Sequence, residues 1–178
     1  GCEHLKTLMS VEYLKLSDPV YDEIENAVRR TYEHSCIVWI EKIKNEQLEN
    51  EFKTYVSTLN TPNVKRLFHG TSEDIARIII QEGFDPSKNK TSAHGLGVYF
   101  STRAAYSKDY CHRTKGREYV FMLVCDVATG KTCQGRNGKP IPHEFDSATD
   151  NLAHPDMYIV NKRQAALPLY LVAFYPKV

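Results

Sequence analysis

The chain has 178 residues, 42% of them hydrophobic and 25% charged, and a formal net charge of +1. That length supports one domain with a full core, burying on the order of 70% of its unfolded surface, and needs no second domain. Scattered basic residues leave no electrostatic footprint for nucleic acid or an anionic membrane. The longest apolar runs, Tyr119 to Cys125 and Ala165 to Phe174, fall far short of the ~20 residues of a membrane span.

In chain order, Ser17-Asp18-Pro19 reads as a helix start with Pro at the first helical position, and Val20, Ile24, Ala27 and Val28 follow as an apolar stripe. Cys36 to Ile43, β-branched and aromatic around Trp39, reads as a strand, and Leu48, Phe52, Tyr55 and Leu59 space a second amphipathic helix. A strand over Val64 to Phe68 then delivers His69. Thr71-Ser72-Glu73-Asp74 caps a third helix, with Ile75, Ile78 and Ile79 as its expected buried stripe and Gly83 at its close. Asp85 to His94 has turn composition throughout and reads as a surface loop. Ala104 to Cys111 is helix-forming, which puts Ser107 and Tyr110 at i and i+3 on one face.

Glu118 to Val127 and Pro168 to Tyr175 are strongly apolar and Met157 to Val160 is a shorter apolar run, all read as core strands. Gly135 to Pro142 and Asp146 to Pro155 read as loops. Together these elements predict an α+β fold, a split and mostly antiparallel sheet with flanking helices. Residues 1–18 read as a lead-in without a leader peptide, Gly1 as a leftover of cloning, and 19–178 as the domain. No internal repeat is present.

Five cysteines without a CxxC pair argue for reduced thiols in an intracellular protein, cytoplasmic or nuclear, rather than a disulfide framework. Cys111 with His112, or Cys125 with Cys133, would supply only half of a four-ligand zinc site, so no metal is expected. Glu23-Ile24-Glu25 and Glu49-Asn50-Glu51 fall on helices and read as solvated faces.

A strand that ends in His69-Gly70 sets an imidazole beside a peptide with no Cβ, where a flat ligand can lie against bare backbone. A primary carboxamide, which needs one backbone donor and one acceptor, fits that spot. Leu67-Phe68-His69-Gly70-Thr71, then Gly95-Leu96-Gly97-Val98-Tyr99-Phe100-Ser101, then Ser107 and Tyr110, resemble in order and spacing the catalytic domain of the poly(ADP-ribose) polymerase family, the diphtheria-toxin-like ADP-ribosyltransferases. The resemblance runs from about Pro19 to the C-terminus.

What the resemblance implies is an ADP-ribosyltransferase fold and NAD+ as co-substrate. His69 would hydrogen-bond the adenosine ribose, Gly70 and Thr71 would belong to the carboxamide-binding element, and Ser107 would donate to the amide oxygen. Tyr110 would stack on nicotinamide, with Tyr99 closing the opposite side and Tyr106 as a second candidate for the wall. The loop of Asp85 to His94 would lie over NAD+. In polymer-forming relatives a Glu stands just before a Tyr-Ile-Val-like strand; here that position is Met157, whose thioether cannot act as a base. The triad becomes His69, Tyr99 and Met157, and transfer of a single ADP-ribose to protein side chains is expected, by a monomer. Asp156, next to Met157 on a strand, is expected to point away from the site. An inactive NAD+-binding module and transfer to nucleic-acid ends are the alternatives.

Overall fold

A computed structural model of the protein describes residues 9–33, 35–88, 92–107 and 119–175, without the side chains of Tyr106 and Ser107. Its strands are β1 (Met9–Tyr13), β2 (Cys36–Asn45), β3 (Val64–Thr71), β4 (Val98–Ser101), β5 (Val120–Ala128), β6 (Thr132–Gln134), β7 (Ser147–Thr149), β8 (Met157–Val160) and β9 (Ala166–Tyr175). Its α-helices are α1 (Pro19–Arg29), α2 (Glu46–Ser57), α3 (Glu73–Glu82) and the single turn α4 (Ala104–Ser107). The strands form one sheet in the order β1-β2-β9-β5-β3-β4-β8-β7-β6. Its described pairs are antiparallel except β6 with β7. The expected α+β architecture is the observed one.

The helix starts obey their caps. Asp18 accepts a hydrogen bond from Val20 N at 2.9 Å with Pro19 at the first position of α1, Asn45 caps α2 through Leu48 N, and Ser72 caps α3 through Ile75 N. Along β5, Phe121, Leu123, Cys125 and Val127 pack into a core shared with α3, while Val120, Met122 and Val124 pack into a second core under α1. Burial on both faces is why this strand reads as a continuous apolar run from Val120 to Cys125, and each buried Val, Phe, Met or Leu of it contributes roughly 1.5–3 kcal/mol. In β9, Pro168 has no N–H to give; it stands beyond Tyr170, the last residue paired with β2, next to a bulge opposite Val124 and Cys125.

Two expectations are corrected, in α3 and in one loop, and a strand is added within the lead-in. The buried face of α3 is Glu73, Ala76, Ile79 and Ile80, while Ile75 and Ile78 are 51% and 48% exposed. A run of three isoleucines over 78–80 does not set the helix phase; the phase is set by Glu73 and Arg77, which face β2. The lead-in contains β1, paired with β2 from Met9 opposite Asn45 to Tyr13 opposite Glu41. The second of the expected loops contains β7, too short and too polar to show a period.

Glu41 and Glu73, both buried, hold the Arg77 guanidinium: Nη1 and Nη2 donate to the two Glu41 oxygens at 2.9 Å each, and Nη2 to Glu73 at 3.3 Å. Arg77→Ala would remove the guanidinium that two buried carboxylates share. It should cost about 2–4 kcal/mol, less than for a wholly buried pair because Arg77 keeps one side in water. Urea unfolding at neutral pH measures the loss.

Candidate active site

β3 and β4 share a single described pair, Phe68 opposite Ser101, after which the two strands part. This opening divides the sheet into two halves. Across it the His69 side chain takes over from the ladder, with Nδ1 at 2.8 Å from the carbonyl oxygen of Tyr99. A carbonyl only accepts, so Nδ1 carries the proton and the neutral ring presents Nε2 as an acceptor. Phe84 meets the ring edge-on at 5.1 Å and Phe100 lies tilted at 5.4 Å. Burial pushes the His69 pKa below its ordinary value, against the opposing pull of the Tyr99 carbonyl.

On the α3 side of His69 lies a groove of about 530 Å³. Thr71, Ile75, Ile78, Phe84 and Arg163 are among its walls. The two exposed isoleucines of α3 therefore line a cleft rather than the core. Lys88 and Arg163 face it together with Glu82 and Asp85, so the lining is mixed in charge. Gly70 follows Phe68 by two residues in β3, past the end of its pairing with β4, and stays paired with Met122 of β5.

Tyr99 works on the other side of the opening. Its ring packs on Ile141, Ala148, Met157 and Ile159. Its hydroxyl donates to the Gly95 carbonyl at 2.6 Å and accepts from His94 N at 3.0 Å. Gly97 lets this segment press on β8: φ is +153°, and a Cβ there would collide with the Val160 carbonyl oxygen. Met157, 5% exposed, stands opposite Ser101 and shares the Tyr99 cluster.

The main chain around Met157 is tied down. Asp150 Oδ1 accepts from Asp156 N at 3.1 Å and Met157 N at 3.2 Å, and the Met157 carbonyl accepts from Thr149 Oγ1 at 2.8 Å. The Asp156 carboxylate pairs with Arg103 Nε at 3.4 Å. α4 is started from a distance, with Thr31 Oγ1 accepting from Ala104 N at 2.8 Å. Ser107 ends the described part of this helix. The side chains of Tyr106 and Ser107, and all of Tyr110, lie outside the described residues. Among the described residues no three His, Cys, Asp or Glu side chains gather as a metal site would require.

The structure thus sets His69 against the Tyr99 carbonyl across the opening and Met157 in the apolar cluster that packs the Tyr99 ring. Sequence reasoning missed Ile75, Ile78 and Arg163 in the groove and Asp150 under Met157. Exposed apolar residues on a helix carry no local signal of a cleft, and a capping aspartate inside a polar loop looks like any turn residue.

Residues 19–140 match the family model described as the poly(ADP-ribose) polymerase catalytic domain. The chain is 30% identical over 178 residues to human protein mono-ADP-ribosyltransferase PARP14, a match covering 89% of this chain and 10% of that protein. It is 29% identical to a probable poly [ADP-ribose] polymerase of Dictyostelium discoideum, covering 95% of this chain and 51% of that one. Mouse protein mono-ADP-ribosyltransferase PARP10 matches at 30%, covering 76% of this chain and 16% of its own. The chain belongs to the poly(ADP-ribose) polymerase catalytic domain family. It spans from a tenth to about half the length of these relatives.

Because the folded state holds His69 neutral, protonation favours unfolding. The corresponding stability is whole above the ordinary imidazole value of 6.5 and drains away as pH falls from there through the lower folded value. His69→Gln should flatten that part of the profile, as read from urea midpoints collected across mildly acidic to neutral pH.

Proposed function

We propose that this domain transfers one ADP-ribose unit from NAD+ to a side chain of an acceptor protein and releases nicotinamide. The observation that supports the reading is the opening between β3 and β4, bridged by His69 to the Tyr99 carbonyl, in a chain of this family whose Met157 packs in the cluster with the Tyr99 ring. In this reading the adenosine half of NAD+ lies in the groove on the α3 side, its base against Ile75 and Ile78. His69 Nε2 accepts a hydrogen bond from the adenosine ribose. The carboxamide pairs with the Gly70 main chain beside Thr71, and Ser107 donates to it. Tyr110 stacks on the ring, with Tyr106 the second candidate for that wall.

The reaction breaks the C1′–N bond of the nicotinamide ribose, the electron pair leaving with nicotinamide, and joins C1′ to the acceptor atom. The ribose passes through an oxocarbenium-like state, so rigid holding of both halves supplies most of the acceleration. Growing a chain adds a demand: a sugar hydroxyl must be deprotonated as it attacks. Met157 cannot accept that proton, and Asp156 is turned to Arg103. An acceptor that is already a carboxylate needs no base, which suits a site without one. We take the transferring unit to be 19–178, monomeric and intracellular, with no metal in the chemistry.

Incubation of the domain with labelled NAD+ tests the proposal. One added unit per acceptor supports it, a ladder of units removes the role given to Met157, and no label on protein leaves an inactive NAD+-binding module. Label on added RNA ends instead of protein would shift the reading to nucleic acid. Met157→Glu should raise NAD+ hydrolysis or elongation at least severalfold, within the range of about 10²–10⁴ that one acid–base group supplies. Nicotinamide release and product length on gels read this out.

A further inference from the structure

At the β6–β7 end of the sheet lies a second pocket, of about 580 Å³. Cys133, Ile141, Phe145 and Ala148 make its apolar floor. Ile141 and Ala148 belong equally to the cluster that packs Met157 and Tyr99, so the pocket and the reactive bank of the opening share one wall. Arg136 and Lys139 stand exposed on the rim. Neither is held in an ion pair among the described residues. Burial raises the Cys133 thiol pKa, with Glu144, outside the lining, adding to the rise and Arg136 opposing it.

The pocket is built rather than incidental. Leu96 N donates to the Lys139 carbonyl at 3.0 Å and Gly138 N to the Ser92 carbonyl at 2.8 Å, stitching the rim to the segment that Tyr99 clasps. Gly135 lies so close to the His94 carbonyl that a Cβ would overlap it. Such a preformed shape loses little freedom when something docks.

We propose that this pocket seats the acceptor: an extended segment of a substrate protein that places an apolar side chain on the floor and acidic residues against Arg136 and Lys139. The proposal rests on the transfer reading and specifies its substrate. Two exposed cations, in no ion pair among the described residues, stand over an apolar hollow and complement an acidic-apolar segment, and the shared Ile141 and Ala148 wall puts neighbouring residues of that segment at the cleft.

The test measures binding separately from turnover. Short fluorescent peptides carry a Phe or Leu between acidic residues, with lysines replacing the acids in the control. The wild-type domain should bind the acidic peptide, more weakly as salt rises, and ignore the control. Arg136→Glu with Lys139→Glu should weaken binding by about tenfold or more, and so should the milder pair Arg136→Gln with Lys139→Gln to a smaller degree, while thermal melts stay unchanged. NAD+ hydrolysis without acceptor should be the same in wild type and variants.

Equal peptide binding by wild type and variants would overturn the proposal. So would displacement of the peptide by single-stranded RNA, or equal loss of hydrolysis and binding. Peptide binding that survives in a domain with no turnover would sink the transfer reading and leave the docking site standing.

Discussion

The contact on which this structure turns is a hydrogen bond that replaces a strand pair. β3 and β4 are neighbours in the sheet, yet their ladder is reduced to Phe68 and Ser101, and one residue on, an imidazole reaches across to a main-chain carbonyl. A full ladder there would close the sheet and abolish the cleft. No bridge at all would leave the two halves joined by one pair. The histidine resolves this by holding the halves together with a side chain whose second nitrogen remains available. Its tautomer follows from the same bond, so structure and chemistry are set by one interaction.

Around that bridge the two banks differ in character. The groove bank is built from α3, with isoleucines facing outward and charges of both signs along the edge. On the opposite bank a small apolar cluster holds Tyr99 and Met157. A carboxylate at position 157 would sit beside Ile141, Ala148 and Ile159, apolar neighbours that give its charge no partner of their own. The apolar residue there agrees with its packing as well as with a chemistry that adds one unit and stops.

Much of this was legible in the sequence, for physical reasons. Asp18-Pro19 and Ser72 announce helix starts because capping is a local bond, and Glu118 to Val127 announces a strand because both its faces are buried. His69, Tyr99 and Met157 stand out because the family spacing around them is dense. What failed depended on tertiary placement. The phase of α3 is decided by Glu41, a residue on β2 far away in the chain, through Arg77. β1 and β7 are strands because a partner edge is waiting for them, and their own sequences carry no alternation strong enough to say so. Ile75 and Ile78 look like core in the sequence because an isoleucine lining a cleft and one filling a core are alike until the opposite wall is known.

The phenol oxygen of Tyr99 is spoken for twice over, by the amide of His94 and the carbonyl of Gly95. A molecule that courted that oxygen would have to outcompete main chain already in place, and success would break its hold on His94 and Gly95. Ring and hydroxyl thus have separate employments: the ring is part of a wall, the hydroxyl is a clasp. Chemists designing occupants for this cleft would do better to use the face of that residue and leave its tip alone.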